Sequence, residues 1–264
     1  MSRFPVEWLR LREPFDHAAR ADDLVDALCA SLTEQRPLRV VELGAGRGSG
    51  MRYLAPRLPG PQHWTLIDHD QDLLQDVGPQ PSAVAQCQPM VADLRDPRSL
   101  TVEADLVSTQ ALLDLVSEEW LLGLTEWLAA RRVPFVAALT VDGRVSWLPE
   151  APLDAEVQAA FRAHQLTDRG FGASPGPRAA EFMAQQLTEV GYTVTLRKAD
   201  WEVGPADTPM LLEMISGTAG AAREAAQGIT SVLRVNQWEA ERTKAATAGR
   251  LSLRVGHLDL LAIP

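Results

Sequence analysis

The chain has 264 residues, 46% hydrophobic and 23% charged, with a formal net charge of -10. That length and apolar content support one substantial core, so a single domain over residues 1–264 is expected. The acidic balance disfavours nucleic acid and anionic membranes as partners. Cys29 and Cys87 have no metal-ligand spacing around them and fit a reduced, cytoplasmic setting. The N-terminus lacks a signal-peptide core, and no stretch reaches the roughly 20 apolar residues that span a bilayer.

Strand and helix patterns alternate from Leu38 to Leu139. Leu38–Leu43 is a short apolar run that reads as a buried parallel strand. A helix follows through Met51, Leu54 and Leu58, stopped by Pro59-Gly60-Pro61. His63–Ile67 reads as the second strand, Cys87–Val91 as the third and Asp105–Ser108 as the fourth. Trp120, Leu124, Trp127 and Leu128 recur at helical spacing, and Val133–Val141 is the fifth strand. The rhythm then changes. A helix over Leu153–Gln165 precedes a Gly/Pro-rich loop, and another runs through Ala180, Met183, Leu187 and Val190. Tyr192–Lys198 is a sixth strand, a helical insertion covers Asp207 to Ala248, and Leu251–Ile263 is the last strand. The alternation predicts an α/β, doubly wound sheet.

The strongest chemical signal is Glu42-Leu43-Gly44-Ala45-Gly46-Arg47-Gly48, where a strand feeds an alternating-glycine loop and a helix opens directly after it. Glycines there permit positive φ and close approach of a ligand, and the helix N-terminus offers free N–H groups. A dinucleotide fingerprint needs a third glycine where Ser49 or Met51 stands, so both frames fail. No P-loop lysine follows either. Asp68, ending the second strand, can accept both hydroxyls of an adenosine ribose, or else cap the next helix. Asp93, past the third strand, is placed to receive an adenine amino group, with Leu94 against the ring; a solvated loop acid is the plainer alternative.

Together these segments resemble class I S-adenosylmethionine-dependent methyltransferases. The resemblance implies a seven-stranded Rossmann-like sheet of order 3-2-1-4-5-7-6, its last strand antiparallel, with helical lid insertions at about residues 1–20, 142–177 and 200–249. It implies S-adenosylmethionine as cofactor. Glu42, Gly44, Ala45, Gly46 and Gly48 would border its methionine part, Asp68 and the adjoining His69 its ribose, and Asp93 and Leu94 its adenine. Thr109 and Gln110 would face the reacting methyl group. The N-terminal segment Arg12–Arg20 is suited to fold over the pocket as a lid, with Arg20 meeting the cofactor carboxylate; an ordinary surface helix is the alternative. The Asn/Asp-Pro-Pro-Tyr segment of nucleic-acid amino methylation is missing, so a small-molecule acceptor is expected and nucleic acid is not.

A sulfonium methyl is already activated, so the protein must mainly align the acceptor and, for some acceptors, take a proton. His164, Asp114 and His17 are the candidates for acceptor chemistry. His164 lies on the helix face of Val157 and Phe161, where core packing is the alternative role; Phe171, between two glycines, is suited to cover an acceptor. The histidine spacing predicts no metal. Two other readings stay open: a non-catalytic module that binds S-adenosylmethionine or serves interactions, and a nicotinamide-dependent oxidoreductase.

Overall fold

A computed structural model describes residues 4–32, 37–168, 170–226 and 228–264. Residues 1–3, Arg169 and Gln227, which belong to the expected lid segments, lie outside the described residues. The strands are β1 (Leu38–Leu43), β2 (Gln62–Asp68), β3 (Val84–Val91), β4 (Leu106–Gln110), β5 (Phe135–Leu148), β6 (Thr193–Lys198), β7 (Trp201–Val203) and β8 (Ser252–Ile263). They form one sheet of order β3-β2-β1-β4-β5-β8-β6, with β7 added beside β8. β8 is antiparallel to β5, β6 and β7, whereas β3-β2-β1-β4-β5 pair in parallel.

Both faces of the parallel part are covered, so its strands are buried on either side rather than alternating inside and out. Val40, Leu106, Val136 and Leu261 pack beneath α2 (Asp22–Ser31) and α3 (Ser49–Leu54). Val41, Val107, Phe135 and Ala262 face α5 (Glu118–Arg131) and α7 (Ala179–Glu189). α5 starts where the Ser117 hydroxyl accepts the Trp120 N–H at 3.2 Å, and ends at Arg132 with φ of 50°. α4 (Gln71–Gln75) is capped by Asp70, whose carboxylate accepts the Asp72 N–H at 3.0 Å.

The expected strand order stands, with β8 in the place of the seventh strand, but the sheet has eight strands. β7 falls inside the segment expected to be a helical lid, residues 200–249. Its three residues carry Trp201 and Val203 inward and pair with Val255 and Leu253. The fifth strand also continues past Val141 to Leu148, because Val145 and Trp147 pair with Val255 and Leu253 beyond a bulge. A second bulge places Leu139 at φ 57°, and its N–H donates to the buried Asp259 carboxylate at 2.8 Å.

Beyond this extended β5-β8-β7 ribbon, α6 (Asp154–Gln165), α8 (Thr208–Ala225) and α9 (Ile229–Thr247) build a second apolar cluster. It contains Trp147, Trp201, Trp238, Met210 and Ile215. α1 (Val6–Ala19) lies between this cluster and the glycine loop, contributing Trp8, Leu11 and Phe15 to the cluster. No helix among the described residues is long and apolar enough to cross a membrane.

Candidate active site

The carboxyl ends of β1, β2 and β4 open into a cavity of about 140 Å³, at the position where open α/β sheets bind ligands. Its floor is the glycine loop. Gly44, Gly46 and Gly48 have φ of 65°, 51° and 75°, a region that residues bearing a Cβ rarely occupy. The Gly46 N–H donates to Asp68 Oδ2 at 2.8 Å, and the Asp70 N–H donates to Asp68 Oδ1 at 2.9 Å. Asp68, 5% exposed, thus ties the loop to the end of β2 and lines the cavity, where a carboxylate has room to accept more than these two bonds. His69 sits beside it, Nδ1 3.1 Å from Asp68 Oδ1, and its buried Nε2 has no partner.

Deeper in the cavity stand Glu42 and Gln110, side by side over α3. Glu42 is fully buried, and burial pushes its carboxyl up to about 7 despite the N–H groups of Met51 and Gly50 that donate to it. Its Oε2 has no partner, and neither does the Gln110 carboxamide through Oε1 or Nε2. Gly50 makes this arrangement possible: a Cβ there would collide with both Glu42 Oε1 and Gln110 Nε2. Buried polar atoms without partners are costly, and three at one cavity floor mark a place prepared for a ligand's polar groups.

α1 forms the opposite wall through Leu9, Arg12, Glu13 and Asp16, with Phe4 preceding it. Glu13 pairs with Arg52 through two bonds of 2.6 Å. Burial raises its carboxyl, but Arg52 outweighs burial and leaves it below the usual carboxylate range. Asp16 is the reverse case. Burial dominates and holds its carboxyl above the usual range, although Arg12 and the Trp201 N–H all donate to it. Burial likewise lowers the His17 imidazole, whose Nε2 lies 3.1 Å from the Ser49 hydroxyl. Leu112, Leu115 and Phe171 complete the cavity, Phe171 held edge-on against Trp120 at 6.3 Å between centroids.

Of the residues singled out from sequence, Glu42, Gly44, Ala45, Gly46, Asp68, His69, Leu94, Gln110 and Phe171 line this cavity. Gly48 stands behind it as the turn into α3. The others are elsewhere. Asp93 is exposed and clasps Arg95 at 2.7 Å, so the adenine expectation for it has no support in the geometry; Leu94 does line the cavity. Thr109 spends its hydroxyl on the Leu43 carbonyl at 2.8 Å, holding β4 to β1. Arg20 is buried behind the wall, its Nε donating to Asp259 at 3.0 Å and its guanidinium 4.3 Å from the Tyr53 ring centre. Asp114 lies in a turn whose backbone carbonyl accepts from Ser174, outside the lining. His164 is turned toward α8, with Nε2 2.8 Å from Glu224 Oε2, and does not reach the cavity. Its helix packs on α8 rather than over the carboxyl ends of β1 and β4, because Leu153 and Val157 are drawn to the tryptophan cluster.

Sequence reading set the N-terminal segment over the pocket but did not single out its lining side chains Leu9, Arg12, Glu13 and Asp16, nor Gly50. Both left a signal. The glycine alternation runs on through Gly50, and Arg12 and Asp16 stand four residues apart on one helix face.

With this geometry in view, the likenesses to known proteins take on meaning. No sequence-family profile matches the chain. It is 28% identical over 194 residues to the trans-aconitate 2-methyltransferase of Mycolicibacterium gilvum, covering 73% of this chain and 72% of that protein. A cyclopropane-fatty-acyl-phospholipid synthase-like protein from Lactobacillus casei shares its fold at a TM-score of 0.55 and 16% identity, over 100% of this chain and 96% of the other. The apo form of a mycolic acid cyclopropane synthase does so at a TM-score of 0.50 and 11% identity, over 99% and 100%. Fold and sequence kinship agree. The fold is the Rossmann-like one of the methyltransferase-type structures it resembles, and its sequence is similar to that of a methyltransferase.

Proposed function

We propose that this enzyme transfers the methyl group of S-adenosylmethionine to a small-molecule acceptor. The observation that carries the reading is the meeting of an alternating-glycine loop with a cluster of buried, unpartnered polar atoms on Glu42, Gln110 and His69 in one cavity. The glycine loop and Asp68 would hold the nucleoside, with Leu73 and Leu94 against the base. Glu42 and Gln110 would receive the polar amino-acid end. When bound, the cofactor supplies a sulfonium methyl open to in-line displacement. The protein then has to align the acceptor and exclude water. α1 would serve as a lid, and Phe171 would cover the acceptor. His164 and Asp114 have no part in this reading.

Calorimetric titration of the full chain with S-adenosylhomocysteine tests it. We expect binding, with Asp68→Ala weakening it by about 30–150-fold, the equivalent of about 2–3 kcal/mol of charge-assisted hydrogen bonding. Binding of NADH in its place would overturn the assignment. Binding without any S-adenosylhomocysteine formed from S-adenosylmethionine and a metabolite extract would favour a sensing module.

A further inference from the structure

The cavity wall has a charge pattern that bears on the acceptor. Five carboxylates line it, those of Glu13, Asp16, Glu42, Asp68 and Asp70, against the guanidiniums of Arg12 and Arg47. Neither guanidinium is at liberty. Arg47 donates from Nε to Asp76 at 2.7 Å. Arg12 donates from Nε to both Asp16 oxygens at 3.2 and 2.9 Å, and from Nη2 to Oδ1 at 3.1 Å. The Arg12 guanidinium also lies 4.9 Å from the centre of the Trp201 ring and 5.8 Å from that of Trp8, which fixes its plane.

Once the glycine loop, Asp68, Glu42 and Gln110 are engaged by the cofactor, the remaining wall is apolar through Phe4, Leu9, Leu112, Leu115 and Phe171, with the charged side chains of Arg12, Asp16, Glu13 and Arg47 already held in ion pairs. We infer that the acceptor is an uncharged, largely apolar molecule, and that Asp16 sets this preference by occupying the Arg12 guanidinium, which would otherwise face it. The inference rests on the methyl-transfer reading and narrows it. An acceptor carrying several carboxylates would meet the lining carboxylates of Glu13, Asp16 and Asp70, and like charges brought together away from bulk water repel. No unpaired arginine or lysine among the described lining residues offsets that cost. The bound cofactor brings a single net positive charge, too little to reverse the balance.

The test uses the full chain saturated with S-adenosylhomocysteine and two probes of one carbon skeleton, trans-aconitate and its uncharged trimethyl ester. Calorimetry should show the ester binding at least about tenfold more tightly than the tricarboxylate. Asp16→Asn keeps an acceptor for the Trp201 N–H but releases Arg12. It should tighten trans-aconitate at least about tenfold while the affinity for S-adenosylhomocysteine changes by less than about threefold. The double variant Arg12→Met/Asp16→Asn should lose that gain, which separates a freed guanidinium from a loosened fold. Wild-type binding of trans-aconitate equal to or tighter than that of the ester would overturn the inference. So would absence of ester binding at its solubility limit, or an Asp16→Asn variant that melts normally with an unchanged probe ratio. Failure of S-adenosylhomocysteine to bind at all would instead bring down the methyl-transfer reading beneath it.

Discussion

Glu42 and Asp154 are two carboxylates withdrawn from solvent, and the fold treats them oppositely. Asp154 opens α6 and is surrounded by donors: the Trp238 N–H at 2.7 Å, the Ala151 N–H at 2.8 Å and the buried Arg242, which also donates to the Pro149 carbonyl at 2.7 Å. Together these bonds fasten α6 to α9 and brace the tryptophan cluster. Glu42, more deeply buried, has two backbone N–H groups and no cation within hydrogen-bond distance, and it stands beside a carboxamide that is also unpartnered. A carboxylate whose bonds are complete serves stability. One whose bonds are left open, at a cavity floor, is held for something that arrives later.

Four substitutions would break or sharpen that contrast. The largest effect is expected at Gly50. Gly50→Val should drive both Glu42 and Gln110 from their places and reduce S-adenosylhomocysteine affinity at least about 100-fold, measured by calorimetry. On the other side, Arg242→Met leaves Asp154 without its cation. It should destabilise the protein by about 3–5 kcal/mol in urea unfolding while leaving ligand affinity within about twofold. If ligand affinity falls in parallel, the brace and the cavity are not independent.

The third substitution concerns pH. Glu42 keeps its proton to about pH 7 in the folded chain, against 4.5 ordinarily, so the folded state binds the extra proton and stability falls as pH rises through that window. His257, buried against the Trp201 ring at 4.9 Å, is lowered by burial to about 4 from 6.5. There the unfolded state binds the extra proton, and stability falls as pH drops from 6.5 toward 4. The two slopes oppose each other, each worth about 3 kcal/mol across its full range. Glu42→Gln should therefore stabilise the ligand-free protein by up to about 3 kcal/mol at pH 8, and expose the His257 slope below pH 6.5. Urea unfolding across that range checks it; an unchanged profile would mean Glu42 is ionised at no cost. The smallest effect is expected at His164, which pairs with Glu224 and does not line the cavity. His164→Ala should change turnover on a working acceptor by less than about twofold, whereas a loss of about 100-fold or more would restore it as a base.

The parallel half of the sheet was legible because its signals are local. An apolar run, a glycine alternation and an acid at a strand end each occupy a few consecutive residues, and β1 came out with the bounds read from sequence, Leu38–Leu43. The loop, Asp68 and Gln110 were readable for the same reason. What escaped depends on distant partners. β7 has three residues, too few for a periodicity, and exists because β8 offers Leu253 and Val255. His164 looked like a site residue because helical spacing gives a face but not what that face meets. Asp93 looked like an adenine ligand until Arg95, two residues on, took its carboxylate.

The Arg20–Asp259 pair joins residues 239 apart in the chain. Asp259 belongs to β8, which leaves the ribosome after the seven other strands yet sits inside the sheet between β5 and β6. Its carboxylate also receives the Ala21 N–H at 3.2 Å and the Leu139 N–H, so it moors the end of α1 and fixes the bulge of β5 together. During synthesis the wall of the cavity therefore lacks this mooring until β8 has emerged, and rests on contacts such as Glu13–Arg52. Until then β5 and β6 present open edges, the kind of surface that recruits other chains. Such long-range closure slows folding, and a nascent chain stalled before β8 would hold the helix beside the glycine loop without its Asp259 anchor.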